Sequence, residues 1–354
     1  MSNALYSPYK IGGLTLANRL VLSPMCQYSA IDGFPTDWHR HHYLERALGG
    51  AGLVVLEATA VVPEGRISSA DLGIWDDAHA SALAELVRLV HAAGAKIGIQ
   101  LAHAGRKASV VVPWGGNGSL AADKGGWPTV APSALPFDEH YTTPGALDED
   151  GIARVIQAFS EATKRSLWAG FDVVEIHSAH GYLLHQFLTP FANQRQDGWG
   201  GSLENRMRLS LEVAKAVRSA WPEDKALFVR LSATDWKEGG WDLESSITLS
   251  KLWKSLGVDL IDVSSGGAIT GVKITLEPGY QVHLAQAIRE KTGLPSAAVG
   301  LITEAEQSRA IIDEGKADLI FLGRLLLRDP YWPARNAPAD HRNVPVPYLR
   351  GFPV

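Results

Sequence analysis

The sequence predicts a (β/α)8 barrel preceded by a short N-terminal β-hairpin. Over 354 residues, short apolar runs alternate eight times with patterns of helical period. That order builds a parallel sheet with helices outside it. One run, Phe171-Asp172-Val173-Val174-Glu175-Ile176, reads as a buried parallel strand. Polar groups collect where the runs stop, above all in His177-Ser178-Ala179-His180-Gly181-Tyr182. The runner-up, a doubly wound open sheet, usually carries Gly-x-Gly-x-x-Gly after its first strand. Here the first run ends Ser23-Pro24-Met25-Cys26, without glycine. No short repeat and no linker is visible, so one domain over the whole chain is expected.

Taken in order, residues 6–18 alternate around Gly12-Gly13 and suggest the hairpin. Residues 19–25 form the first strand. A helix over 36–48 follows, with Thr36 as N-cap and Gly49-Gly50 beyond its end. Strand two is 52–60. The helix over 76–93 puts Leu83, Leu86, Val87 and Val90 on one face and stops at Gly94. Strand three is 96–101. Residues 104–148 break the rhythm; they are rich in Gly, Pro, Ser and Trp, and a loop so long is usually functional or mobile. A helix then runs from Asp148 or Asp150 to near Gly170, and strand four is 171–178. An irregular loop over 191–201 leads into a helix over 202–220. Strand five (227–232), a helix (243–256) and strand six (260–264) follow. A helix over 280–291 closes at Gly293, and strand seven is 296–302. A helix over 303–313 takes Thr303 as cap, strand eight is 318–323, and a short helical piece spans 325–328. The tail from Pro338 is proline-rich.

Composition is ordinary for a globular protein, 46% hydrophobic and 20% charged. The net charge of −5 and the lack of a basic tract argue against a nucleic-acid partner. The one cysteine, Cys26, excludes an internal disulfide or a cysteine-ligated iron–sulfur cluster within one chain, and suits a reducing cytoplasm. The first ten residues show no basic region followed by an apolar core, so no signal peptide is expected. Charges interrupt the apolar runs, as Glu57 does, so no membrane span is expected either.

Active groups of such barrels sit at the C-terminal ends of the strands. His177 and His180 would face opposite sides of an ideal strand, so they converge only if the strand ends between them. Backbone-satisfied histidines are one alternative, and a metal pair is a weaker one because no third ligand stands out. The ends of strands seven and eight carry Gly300 and Gly323-Arg324. Those glycines suit a phosphate held on backbone N–H groups with an arginine fork, or are plain turns. Glu57 apart, no carboxylate stands at a strand end, unlike a Mg²⁺ site or an acid/base hydrolase. The remaining donors suit a polar heterocycle gripped by its edge, with a phosphate tail.

At this point the chain resembles the old yellow enzyme family of FMN-dependent ene-reductases, and within it the bacterial xenobiotic-reductase or thermophilic-like subclass. The matching stretches are Asn18-Arg19, Ser23-Pro24-Met25-Cys26-x-Tyr28, Glu57-Ala58-Thr59-Ala60 with Gly65-Arg66, and Gln100-Leu101-x-His103-Ala104-Gly105-Arg106-Lys107. They continue through His177-x-x-His180-Gly181-Tyr182-Leu183, Gly198-x-Gly200-Gly201-Ser202-x-x-Asn205-Arg206 and Arg230-Leu231-Ser232. Gly300-Leu301-Ile302, Gly323-Arg324 and Tyr348-x-Arg350-Gly351 complete the set.

The resemblance implies an FMN enzyme that uses NADPH or NADH to reduce activated alkenes: unsaturated ketones, aldehydes and nitro compounds. Gln100 would bond the pyrimidine edge of the flavin, and Arg230 would lie near N1 and C2=O, where the reduced ring gathers negative charge. Pro24, Met25 and Ala58 would line the ring. Ser23 and Arg230 would meet the ribityl chain, and Gly300, Gly323 and Arg324 the phosphate. His177 and His180 would hold the substrate oxygen, Tyr28 would bracket it, and Tyr182 would protonate the α-carbon. Cys26 would sit beside flavin C4=O and N5 and tune the potential without acting as nucleophile; otherwise it is a small buried apolar residue. Arg106 and Lys107 would meet the NADPH phosphate or face solvent. Trp114 and Trp127 could border the site, and Glu57 would serve a nearby donor. The terminal Arg350 would cross to a neighbouring subunit in a homodimer or tetramer. Rivals are a barrel flavoprotein of the dienoyl-CoA reductase type, which carries a cysteine cluster and further domains, and a histidine-metal hydrolase.

Overall fold

A computed structural model describes residues 4–352. Met1, Ser2 and Asn3, part of the stretch read for a signal peptide, lie outside the described residues, as do Pro353 and Val354. The hairpin pairs β1 (Tyr9–Ile11) with β2 (Leu14–Leu16), antiparallel, with Tyr9 opposite Leu16. The barrel strands and outer helices then alternate. They are β3 (Leu20–Leu22), α1 (Asp37–Leu48), β4 (Leu53–Ala60), α2 (Asp77–Ala92) and β5 (Lys96–Ala102). The long segment after β5 holds only the two-residue strands β6 (Val130–Ala131) and β7 (Gly145–Ala146) and short 3-10 turns. Next come α3 (Glu149–Ala169), β8 (Val173–Ser178), α4 (Leu183–Leu188), α5 (Leu203–Ala220), β9 (Ala226–Ser232) and α6 (Leu243–Ser255). β10 (Leu260–Ser264), α7 (Val282–Thr292), β11 (Ser296–Ala298), α8 (Ala305–Asp313) and β12 (Leu319–Leu322) complete the barrel. Three short helices follow: α9 (Arg324–Arg328), α10 (Trp332–Asn336) and α11 (Val346–Leu349). The sheet closes in the order β3-β4-β5-β8-β9-β10-β11-β12 and back to β3, every pair parallel.

Period-two alternation explains the interior. Val21, Leu53, Val173, Phe228, Leu260 and Leu319 join hairpin residues Ile11, Leu14 and Leu16 in one apolar cluster. The hairpin therefore stoppers the N-terminal end of the barrel. One step up the same inward rows, residues turn polar: Val173 gives way to Glu175 and His177, Phe228 to Arg230 and Ser232, Leu260 to Asp262 and Ser264. A floor of hydrocarbon thus supports a polar layer, and the cleft lies above it. In β4 a bulge between Leu56 and Ala58 breaks the parity. Ala58 lines the cleft. Glu57 meets α1 instead, accepting from Tyr43 Oη at 2.9 Å and from the Gln27 N–H at 2.8 Å.

Helix ends follow local chemistry. Asp76, Asp148, Ser202 and Asp242 each accept from the first turn of α2, α3, α5 and α6. Gly170 and Gly293 close α3 and α7 at positive φ. Some boundaries differ from the sequence reading, and one helix was missing from it. Strand seven is only Ser296–Ala298; beyond it Gly300 and Leu301 adopt positive φ and leave the sheet. Helix α7 begins at Val282, and α8 is capped at Glu304, one residue past Thr303. Helix α4 has no counterpart in the sequence reading, because all six of its residues are buried and it shows no polar face.

These packing differences rank two substitutions. Trp253 of α6 is fully buried and its indole N–H donates to the Ser210 carbonyl at 3.3 Å. Trp253→Ala should cost about 3–5 kcal/mol, and Asp148→Ala, which removes only a cap, about 1 kcal/mol. Urea unfolding of the two variants checks the order.

Candidate active site

β8 ends at Ser178, and the chain curls at once: His180 has φ +58° and Gly181 φ +72°. The curl brings the His177 ring centroid 5.3 Å from that of His180 and 5.0 Å from that of Tyr182. A left-handed histidine is strained, and its neighbours hold it. The His180 N–H donates to Ser232 Oγ at 2.9 Å, and Lys107 Nζ donates to the His180 carbonyl at 2.8 Å. The Gly181 N–H donates to His185 Nδ1 at 2.9 Å, and Gln186 Nε2 donates to the Gly181 carbonyl at 2.7 Å. His185 is fixed in turn by Asp235, 3.0 Å away in a fully buried pair. A Cβ at Gly181 would lie 2.1 Å from the Gly267 carbonyl oxygen, so glycine is required there.

Below the curl lies the polar layer. Arg230 reaches Asp262 at 3.2 Å, and its Nη1 donates to Ser23 Oγ at 3.1 Å. Gln100 Nε2 donates to Glu175 Oε1 at 2.8 Å. Glu175 and Asp262 are fully buried. Burial and the neighbouring Asp262 charge, opposed by Arg230, raise the Glu175 carboxyl to about 8. Burial, opposed by Arg230, raises Asp262 to about 6. Burial and then Arg230 hold His177 and His180 well below the ordinary imidazole value, so both rings are neutral near pH 7. Burial lifts the Tyr182 phenol well above its usual value, so it keeps its proton. Burial, then Asp71 and Glu57, do the same to the Cys26 thiol.

A cleft of about 330 Å³ opens over this layer. Ser23, Pro24, Met25, Cys26, Tyr28, Ala58, Gln100, His177, His180, Tyr182, Arg230, Gly323 and Arg324 all line it. Gly300 lines an adjoining hollow of about 240 Å³ together with Gly323 and Arg324. Arg350 does not join them; it caps α11 on the surface, exposed. Arg106 and Lys107 both turn their charged ends to backbone carbonyls. Arg106 is buried and donates to the carbonyls of Leu135, Pro136 and Ala268, which tacks the long segment down. Lys107 serves the curl, and burial and Arg106 lower its amine to about 8. Trp114 meets Tyr28 edge-on at 5.6 Å, whereas Trp127 stacks on Arg66 at 5.0 Å. Among the described residues no three metal-ligating side chains come together.

Glu175, Asp262, His185 and Asp235 were not singled out in the sequence, and Ser232 entered only within the stretch Arg230-Leu231-Ser232, without a role. Stepping back two residues from His177 and from Ser264 along the alternation would have found the first two.

Glu175 supplies a pH test. Its folded carboxyl sits near 8 against 4.5 when unperturbed, so between those values the folded chain binds more protons than the unfolded chain. Its contribution to stability therefore falls as pH rises through that window. Between about pH 6 and 8, Glu175→Gln should lose less stability than the wild type, by on the order of 2 kcal/mol, in urea titrations at the two pH values.

Comparison with known proteins agrees with this geometry. The family model of the NADH:flavin oxidoreductase / NADH oxidase family matches residues 4–342. The NADPH dehydrogenase of Geobacillus thermodenitrificans is 49% identical over 356 residues, covering 99% of each chain. That of Bacillus subtilis is 45% identical over 356 residues, covering 99% of this chain and 100% of its own. Among solved structures, the old yellow enzyme homologue from Zymomonas mobilis superposes with a TM-score of 0.79 at 29% identity, over 99% of both chains. Morphinone reductase gives 0.79 at 30% identity, over 95% of this chain and 90% of its own. A 2-naphthoyl-CoA reductase gives 0.87 at 27% identity over 97% of this chain, which spans only 54% of that longer one. With a closed parallel barrel, a cationic polar layer and full-length likeness in hand, the chain belongs to the NADH:flavin oxidoreductase / NADH oxidase family and is an NAD(P)H-dependent flavin oxidoreductase.

Proposed function

We propose that this chain is an FMN enzyme of one domain that reduces the C=C bond of activated alkenes with NADPH or NADH. The observation that carries the reading is the convergence of His177, His180 and Tyr182, with the His177 ring centroid 5.3 Å and 5.0 Å from the other two, above the buried Arg230–Asp262 pair.

The residues fit FMN. Gln100 spends its amide N–H on Glu175, which leaves its carbonyl oxygen to accept from the pyrimidine edge. Arg230, whose partners among the described residues are Ser23 and Asp262, would face the edge that gathers charge. Pro24, Met25, Cys26 and Ala58 would line the ring. In the hollow, Gly300 has φ +113°, a backbone that keeps side chains away from the space where Gly323 and Arg324 would take the phosphate.

When bound and reduced, the flavin supplies a hydride at N5. The chain's own groups do the rest. The N–H groups of His177 and His180 donate to the carbonyl or nitro oxygen of the substrate, with Tyr28 at its other side. This draws electron density from the alkene, so its β-carbon accepts hydride. Tyr182 gives its hydroxyl proton to the α-carbon. Cys26, held as a thiol, tunes the ring without forming a bond. The names NADPH dehydrogenase and morphinone reductase among the relatives support the donor and the substrate class. The 2-naphthoyl-CoA reductase likeness favours a dienoyl-CoA-type reading less, because a lone cysteine cannot ligate an iron–sulfur cluster within this chain. One cysteine per chain, with no internal disulfide, suits the reducing cytoplasm, where we place the enzyme.

The clamp is tested with a phenol. Bound phenolate should give a long-wavelength charge-transfer band with oxidised flavin. His177→Ala/His180→Ala should abolish the band, with FMN still bound and cyclohexenone turnover lost by at least about 100-fold. A surviving band sinks the assignment.

The tail supports assembly. Val346, Tyr348 and Leu349 are exposed, and Arg350 is exposed beside them and lines no part of its own cleft. The reading is a homodimer, or a tetramer of dimers, with Arg350 of one chain bordering the cleft of the other. Deleting residues from Tyr348 onward should raise KM for the alkene several-fold and loosen the dimer, while FMN stays in place. Sedimentation and steady-state kinetics decide, and an unchanged dimer with unchanged KM removes the role.

A further inference from the structure

A peptide N–H can only donate and a carboxylate can only accept, so a histidine held between the two has its tautomer fixed. His185 stands in that place. It lies in the first turn of the short helix α4, with its side chain fully buried. The Gly181 N–H donates to its Nδ1 at 2.9 Å, which bars a proton from that nitrogen. The ring proton is therefore on Nε2, and Nε2 lies 3.0 Å from Asp235 Oδ1. Neither of these two atoms has another partner among the described residues.

Asp235 is set to accept. It follows β9, and its own N–H donates to the Trp241 carbonyl at 2.8 Å. Its Oδ2 accepts from the Thr189 hydroxyl at 2.6 Å and from the Trp241 N–H at 2.8 Å. Burial pushes the Asp235 carboxyl up, but His185 and these donors outweigh it and hold the group below its ordinary value. With Oδ2 taken by two donors, Oδ1 is the oxygen turned to His185. The Gly181 end matters because the bonded peptide joins two left-handed residues, His180 at φ +58° and Gly181 at φ +72°. Tyr182 follows at once as the N-cap of α4. Neither His185 nor Asp235 lines the cleft.

We infer that Asp235 and His185 are positioning residues of the clamp: the carboxylate keeps the His185 proton on Nε2, and the free Nδ1 grips the Gly181 N–H and fixes the turn between His180 and Tyr182. The inference rests on the clamp reading above. Asp235→Asn separates the two ends of the pair. The Trp241 N–H cannot accept, so the amide oxygen keeps that side and the amide NH2 turns to His185. Nε2 must then accept, the ring proton moves to Nδ1, and it meets the Gly181 N–H head-on. The curl loses its bond although the side chain keeps its shape.

Nitrogen-15 labelling of the histidines in the holoenzyme reads the tautomer, with His185 assigned by its missing signals in His185→Asn. Expected are Nε2–H in the wild type and Nδ1–H in Asp235→Asn. Phenolate affinity should fall about tenfold in Asp235→Asn, with FMN content unchanged. His185→Asn and His185→Leu, nearly equal in shape, isolate the Gly181 bond: Asn offers an oxygen to that N–H and Leu offers none. Both leave Asp235 without the imidazole, so a difference between them belongs to Gly181. His185→Asn should bind phenolate about tenfold more tightly than His185→Leu. An Nδ1–H ring in the wild type overturns the inference, as does an Nε2–H ring in Asp235→Asn or equal phenolate affinity in the Asn and Leu variants. If one variant does not fold, the wild-type tautomer and the remaining comparison still decide. The tautomer is read without phenol, so a failure of the clamp itself shows separately, as a wild type that gives no phenolate band.

Discussion

A guanidinium in the middle of a barrel needs compensation, and the Arg230–Asp262 pair at 3.2 Å supplies it. Removing one partner of such a pair costs roughly 3–5 kcal/mol, because the other is left as a buried bare charge. The rest of the site is arranged around this requirement. Asp262 and Arg230 are register partners on adjacent strands, as are Arg230 and His177. Glu175, two residues below His177, stays protonated beside Asp262 and turns Gln100 so that its carbonyl is spare. Burial depresses both imidazoles, and the cation adds to it. The one charge therefore sets the polarity of the cleft floor and reinforces the neutral state of the groups above it.

The second constraint is geometric. A strand cannot put His177 and His180 on the same side, so the chain leaves the strand and accepts a left-handed histidine. Four hydrogen bonds, to both backbone groups of His180 and of Gly181, come from side chains on β9, α4 and the turn after β5. None of these four side chains lines the cleft. They convert a strained loop into a fixed one, as a site that must be pre-organised requires. The bulge in β4 is the same device on the other wall: it moves Glu57 outward to Tyr43 and leaves small Ala58 facing the cleft.

How much of this was legible follows from the physics of each signal. Alternating apolar and helical runs disclosed the eight-stranded barrel and the hairpin, and caps such as Asp148 and Ser202 marked helix starts closely. The strand ends pointed to the lining of the cleft, because barrels expose that edge alone. What escaped was one layer deeper. Glu175 and Asp262 sit mid-strand, where a carboxylate looks like an interruption of an apolar run, and only inward parity marks them. Arg106 and Lys107 read as cations for a nucleotide phosphate or for solvent, and the partners found are carbonyls 29 to 162 residues away, beyond any local pattern. Helix α4 was hidden by being buried all round.

The segment over 104–148 was unreadable for a related reason: its order comes from cross-contacts and not from period. Trp127 rests on Arg66, which also lies over Trp75; Trp75 meets His79, and His79 stacks on Phe34. That ladder pins one part of the segment, and Arg106 pins another through Leu135 and Pro136. Between the turn that carries Arg106 and Trp127, the tip at Trp114 is followed by Gly116 at φ +131° and Gly118 at φ +84°. Trp114 is 72% exposed, with its ring against Tyr28 at the rim. A segment anchored on both sides of a glycine-rich tip keeps its changes local. Substitutions at that tip would reshape the mouth of the cleft while Arg230, the two histidines and Tyr182 keep their places. The chemistry is held by strands and buried charge, and the entrance by a loop that owes them nothing but its anchors.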